Sequence, residues 1–152
     1  MSEPTYRQAA KDDVAAIAAV ARALQEELGE ASGLAAQLTS PEGAAQRIAS
    51  YGERGAAFVC IGDEGMYAFA IVGPDPQEEG CGGIGVWVLP RYRRQGIGRE
   101  LALMALEFAR AAGYAKVRGT IPQGNEPALS FFGEIGALAQ VMGRGMQYEL
   151  PL

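Results

Sequence analysis

The chain has 152 residues, enough for one domain, with 49% apolar and 20% charged residues, the balance of an ordinary globular core and surface. Thirteen basic against 18 acidic residues leave a net charge of −5, which argues against nucleic acid or anionic membrane as a partner. No histidine is present, which excludes a Ser-His-Asp triad, a Cys-His dyad and the histidine-based zinc sites, and two cysteines (Cys60 and Cys81) are too few for a structural metal centre or a disulfide framework.

In chain order, Thr5 to Gln8 reads as a short strand. Asp12 or Asp13 can cap a helix whose apolar face is Val14, Ile17, Ala21, Leu24 and Leu28, with Gly29 at its end. Thr39-Ser40-Pro41-Glu42 combines a cap, a first-turn proline and an early acid, and predicts a second helix to about Tyr51. The period then changes. Ala57 to Ile61 and Met66 to Val72 are short apolar runs around Gly62-Asp63-Glu64-Gly65, a hairpin pattern, and Gly73-Pro74 is expected to break the chain. A strand from about Gly83 to Val88 stops at Pro90, and Gly98 to Ala112 carries Leu101, Met104, Ala105, Phe108 and Ala112 on one helical face before Gly113. Lys116 to Ile121 reads as a strand, Asn125 to Ile135 as a helix, and Ala137 to Met142 with Met146 to Leu150 as a closing strand pair. The order β-α-α-β-β-β-α-β-α-β-β, without repeats or linkers, predicts one α/β domain over residues 1–152, a mixed sheet with helices on its faces. No segment has the length of a membrane span and the first residues lack a secretory pattern, so a cytoplasmic location is expected.

Chemistry concentrates in Val86-Trp87-Val88-Leu89-Pro90-Arg91-Tyr92-Arg93-Arg94-Gln95-Gly96-Ile97-Gly98-Arg99, where a strand ends, a basic turn follows and a helix begins. The first N–H groups of a helix have no intrahelical acceptor, and its dipole adds positive charge, so such a turn suits a phosphate or pyrophosphate. Four of the eleven arginines fall within these nine residues from Arg91 to Arg99. A solvated, purely geometric turn is the alternative, and Leu101 breaks the dinucleotide pattern G-x-G-x-x-G.

Arg93-x-x-Gly96-x-Gly98, preceded by Val86-x-Val88-x-Pro90, resembles the Q/R-x-x-G-x-G/A motif of the GNAT superfamily of N-acetyltransferases. Tyr6-Arg7-Gln8-Ala9 with Asp12-Asp13 is similar to that family's opening, and Asn125-x-x-Ala128-x-x-Phe131-Phe132-x-x-x-Gly136 to its closing helix. The resemblance implies the GNAT fold, a mostly antiparallel sheet of about seven strands flanked by about four helices. It implies acetyl-CoA as donor, with no metal, and transfer of acetyl to a primary amine of a small molecule or protein by a direct-transfer route, in a monomer or homodimer. It assigns the pantetheine arm to the edge at Val86, Trp87 and Val88, with a bulge there turning an N–H toward the thioester. It assigns the pyrophosphate to Arg93, Arg94, Gln95, Gly96, Ile97, Gly98 and Arg99, and further cofactor contacts to Asn125 and Phe132. Asn125 also fits a helix cap, and Trp87, alternating with Val86 and Val88, also fits a packed aromatic.

Two positions depart from the family. Phe132 stands where a tyrosine often protonates the leaving thiolate, and Cys81 to Val88 carries no carboxylate where many members hold a general base. Glu78 and Glu79 before the strand, Tyr67 and Tyr148 are the remaining polar candidates, with Glu79 and Tyr148 foremost. The run Glu26-Glu27-Leu28-Gly29-Glu30 suits a cationic amine or is a solvated face. The alternative to an enzyme is an acyl-CoA-binding module that has lost its chemistry.

Overall fold

A computed structural model describes residues 3–121, 138–142 and 145–152. Seven strands form one sheet in the order β1-β2-β3-β4-β5-β7-β6. They are β1 (Thr5–Gln8), β2 (Ala56–Gly62), β3 (Gly65–Pro74), β4 (Cys81–Val88), β5 (Lys116–Ile121), β6 (Leu138–Met142) and β7 (Gly145–Pro151). Every neighbouring pair is antiparallel except β4–β5. Three α-helices lie among the described residues: α1 (Val14–Leu28), α2 (Pro41–Ser50) and α3 (Ile97–Ala111). The helix expected over residues 125–135 lies outside the described residues. No helix among them is long and apolar enough to cross a membrane.

The alternation of side chains along a strand sorts the core into two layers. On one face, Ala57 and Val59 of β2 with Phe69 and Ile71 of β3 pack under Ile17, Val20, Ala21 and Leu24 of α1 and Ala44 of α2. On the other, Phe58, Cys60, Ala68, Ala70, Val72 and Ile84 pack under Ile97, Leu101, Ala105 and Ala109 of α3. Strands covered on both faces carry continuous apolar runs rather than alternating ones. Both cysteines are buried and unbridged.

The helix ends follow their local chemistry. Ser40 Oγ accepts from the Gly43 N–H at 3.0 Å and Pro41 opens α2. Asp13 precedes α1 without capping it through its side chain; its carboxylate instead accepts from the Ala10 N–H at 2.6 Å and pairs with Arg7. Gly29 and Gly113, at φ +58° and +91°, end α1 and α3 in the left-handed region. Two strand limits differ from expectation. Gly73-Pro74 does not break β3, because both residues still pair with β4, opposite Gly83 and Gly82, and β4 accordingly begins at Cys81.

Candidate active site

β4 and β5 run side by side for three residue pairs only: Cys81 with Lys116, Gly82 with Val117, and Gly83 with Arg118. Past Gly83, β4 keeps its β3 partner through Val88, while β5 stays paired with β7 through Ile121. The two strands therefore part, and residues 84–88 present one backbone edge with no strand partner among the described residues. Unpaired strand N–H and C=O groups form a template for an extended amide-bearing chain. The β3–β4 register is unbroken from Gly82 to Val88, so the bulge implied at this edge is not there; the sheet's irregularity lies at Cys60–Ile61 in β2 instead. The opening arises from strand divergence alone.

The free edge leads into a 3-10 turn, Pro90–Tyr92, and then into α3. Glu100 N–H bonds to Gly96 C=O at 3.1 Å, so the N–H groups of Ile97 and Gly98 precede the helical ladder. Gly96, the residue before the helix, has φ +81°, and Arg94 has φ +64°, the one left-handed non-glycine residue among those described. A left-handed residue running into a right-handed helix turns successive N–H groups toward one point, a concavity that holds anions.

The two motif glycines have different roles. A Cβ on Gly96 would meet nothing within 4 Å, and the glycine is there for its φ. A Cβ on Gly98 would face Val88 at 3.5 Å and Val86 at 3.8 Å, ordinary contact distances, so the packing of α3 on β4 leaves room for a methyl there. It does not project toward the mouth of the turn.

The arginines divide as well. Arg91 pairs with Glu64 at 2.9 Å, and Tyr92 donates its hydroxyl to the same carboxylate at 2.6 Å while stacking on Tyr67 at 3.6 Å. That bond holds the Tyr92 hydroxyl in its neutral form and pushes it up to about 12. Arg93 gives two N–H groups to Glu27 of α1, at 2.7 and 3.0 Å, and its Nε–H to Val88 C=O at 3.0 Å. Glu27, from the acidic run at the end of α1, thus pairs with Arg93. Arg94 is exposed and has no carboxylate partner among the described residues. The Gln95 side chain returns to the Arg91 carbonyl at 3.5 Å. Arg99 lies in the first turn of α3 and is exposed.

Trp87 faces the α1–α2 side. Its ring packs on Phe69 at 5.1 Å, and its Nε1–H donates to Ser32 C=O at 2.8 Å. Ser32 is buried in the turn after α1. Trp87 is a packed, anchored aromatic whose backbone belongs to the free edge. Glu27, Ser32 and Glu64 had no signal in the sequence that would have placed them here, because each arrives from a segment distant in the chain.

The acid and tyrosine candidates scatter. Glu79 is exposed just before β4, at the opposite end of that strand from the arginine turn, about 25 Å away at the rise of a strand. Glu78 pairs with Lys116 at 2.7 Å, within a network in which Arg118 joins Asp75 (3.1 Å) and Glu149 across the bases of β3, β4, β5 and β7. Arg118 and Lys116 hold the Glu149 carboxyl below its ordinary range. This network closes the joined end of the opening. Tyr67 is taken up by Tyr92, and its hydroxyl accepts from the Glu64 N–H at 3.3 Å. Tyr148 sits in β7 opposite Gly119 and Ala139. Asn125 and Phe132 lie outside the described residues. Among the described residues no group of His, Cys, Asp and Glu side chains could hold a metal ion.

Comparison with known proteins gives a consistent result. The model of the acetyltransferase (GNAT) family matches residues 17–137. No curated protein matches the chain. Among solved structures, the chain is similar to a ribosomal-protein-alanine N-acetyltransferase from Brucella melitensis, with 21% identity, a TM-score of 0.77, and coverage of 97% of this chain and 99% of that one. It is similar to the PaiA N-acetyltransferase of Thermoplasma acidophilum in complex with coenzyme A, with 17% identity, a TM-score of 0.76 and full coverage of both chains. A phosphinothricin acetyltransferase from Sinorhizobium meliloti in complex with acetyl-CoA follows at 18% identity and TM-score 0.77, covering 99% of this chain and 89% of that one.

Proposed function

The chain belongs to the acetyltransferase (GNAT) family, and on that premise we propose that it is an N-acetyltransferase, moving the acetyl group of acetyl-CoA to a primary amine of a small molecule or protein. The observation that carries this reading is the free edge of β4 over residues 84–88, continuous with the N–H-lined turn at the start of α3. An extended amide-bearing arm fits the edge, and a pyrophosphate fits the turn at its end. Residues 84–88 offer the backbone pairing, Gly96 shapes the anion cradle, and Arg94 adds the positive charge. Asn125 and Phe132 remain proposed cofactor contacts through their match to the family's closing helix.

Direct transfer requires a neutral amine placed against the thioester, with a strand N–H near the carbonyl oxygen as the electrostatic stabiliser. The leaving group is a thiol with a reference pKa of about 8.5, which tolerates departure without a dedicated acid. That accommodates Phe132, at the cost of about 10²–10⁴-fold in rate typical for a missing general acid. Tyr148, opposite Gly119 in β7, and Glu79, before β4, stay as proposed proton-transfer candidates. We place the protein in the cytoplasm as a monomer or homodimer.

A second reading is favoured by Phe132 and by the absence of a carboxylate in β4: an acyl-CoA-binding module without chemistry. Free-thiol release from acetyl-CoA, followed across a panel of primary amines, separates the two. Amine-dependent release supports the transferase. Binding of acetyl-CoA by calorimetry with no release on any amine supports the module, and absence of binding overturns both.

A further inference from the structure

Two contacts tie the end of α1 and the turn behind it to the end of β4. Arg93 bridges Glu27 and the Val88 carbonyl, and Trp87 Nε1–H bonds to Ser32 C=O. Trp87 and Val88 are neighbours on the free edge, Glu27 lies in the last turn of α1, and Ser32 ends the 3-10 turn Gly29–Ser32 that follows it. Three of the five N–H donors of the Arg93 guanidinium are engaged, two of them in the paired geometry that makes arginine–carboxylate contacts strong. A phosphate could take Arg93 in a paired, two-bond contact only by displacing Glu27 or the Val88 carbonyl, whereas Arg94 has no such competitor among the described residues.

We propose that Arg93 is a positioning residue: through Glu27 and the Val88 carbonyl it locks the end of α1, and with it the turn 29–32 held by Trp87, against the end of β4, and the anion-facing charge of the turn falls to Arg94. The anion itself is taken from the function proposed above, so the test has one arm that needs no ligand. Amide hydrogen exchange and the emission of Trp87, the single tryptophan, report the lock in the free protein.

E27Q and R93Q are each expected to speed exchange of the amides at residues 29–35 by about tenfold. Both should shift Trp87 emission alike, and the double variant should go no further than either single one. R93K, which keeps the charge and loses the planar fork, should behave as R93Q. In calorimetry with CoA over a salt series, E27Q should stay within about threefold of wild type with an unchanged slope, and R93Q should flatten the slope less than R94Q does. R94Q should weaken binding by more than that and flatten the slope, as loss of an exposed phosphate–arginine pair does. Unchanged exchange at 29–35 in R93Q, or a flattened salt dependence in R93Q with R94Q unaffected, overturns the proposal. A wild-type protein that does not bind CoA overturns the proposed function, and exchange and emission then still decide the lock.

Discussion

Trp87 and Gly85 stand two residues apart on the same face of β4, and the indole of the first lies across the Cα of the second. A Cβ on Gly85 would clash with the outer edge of that ring, at Cη2, Cζ2 and Cζ3. The ring cannot swing away freely, because Ser32 holds its nitrogen and Phe69 its face. Gly85→Ala is therefore expected to expel the indole and lose the Ser32 bond, lowering stability by about 1–3 kcal/mol. Urea unfolding measures the loss, and a red-shifted Trp87 emission should accompany it. A variant as stable as wild type with unchanged emission would contradict the packing described.

The motif glycines are expected to respond in opposite ways. Gly96→Ala forces a side chain into the left-handed region and should cost about 1–2 kcal/mol. Gly98→Ala places a methyl in ordinary contact with Val86 and Val88 and replaces a helix glycine, so its stability should equal or exceed wild type by up to about 1 kcal/mol. Thermal melts of both variants, with CoA titrations beside them, test the assignment. Equal losses at the two positions would mean that both serve backbone geometry.

Alkaline titration should isolate Tyr92. Its hydroxyl, held neutral by Glu64 first and by burial second, is raised to about 12. A group raised on folding adds stability that is complete below its ordinary value near 10 and is lost as pH rises through the folded value. The phenolate absorbance difference between wild type and Tyr92→Phe should have its midpoint near that raised value, and Glu64→Gln should bring it down toward about 10. Tyr6, raised to about 12 chiefly by burial, should be untouched by Glu64→Gln and serves as the control.

How much of this was legible in the sequence depends on how far apart the cooperating residues lie. Ser40-Pro41 announces α2, and glycines at 29 and 113 end α1 and α3, because a cap or a left-handed turn is a local matter. The strand β1 and the hairpin of β2 and β3 are written in apolar runs and turn residues. Gly73-Pro74 misleads because partners on β4 absorb them into the sheet. The anion turn is visible as a spacing of glycines and arginines. Which arginine is already occupied is not visible, since Glu27 reaches Arg93 only after α1 has packed across the sheet.

Acid should expose the tie between β1 and the start of α1. Arg7 donates to both oxygens of the nearly buried Asp13, at 2.7 and 3.0 Å, and this holds the carboxyl below its usual range. A depressed carboxyl contributes stability that is present above the unfolded value of about 3.9 and lost as pH falls through the folded one. Asp13→Asn can keep the Ala10 N–H bond and loses the charge. The difference in unfolding free energy between wild type and Asp13→Asn should be constant near neutral pH and shrink below about pH 4. A difference that persists unchanged into strong acid would mean the pair adds nothing through its charge.

The brevity of the β4–β5 joint bears on the order in which the chain can assemble. Strands β1 to β4 close largely through neighbouring hairpins, and β5, β7 and β6 form a second leaf from the last third of the chain. The leaves meet at three residue pairs, reached only after α3 has crossed between them. Bringing Cys81–Gly83 to Lys116–Arg118 incurs the loop-closure entropy of that whole crossover before any of the pairs or the Asp75–Arg118 contact returns it. The first leaf, with α3 folded back over it, is therefore expected to protect its amides before the second leaf does, an order that pulse-labelled hydrogen exchange during refolding would read.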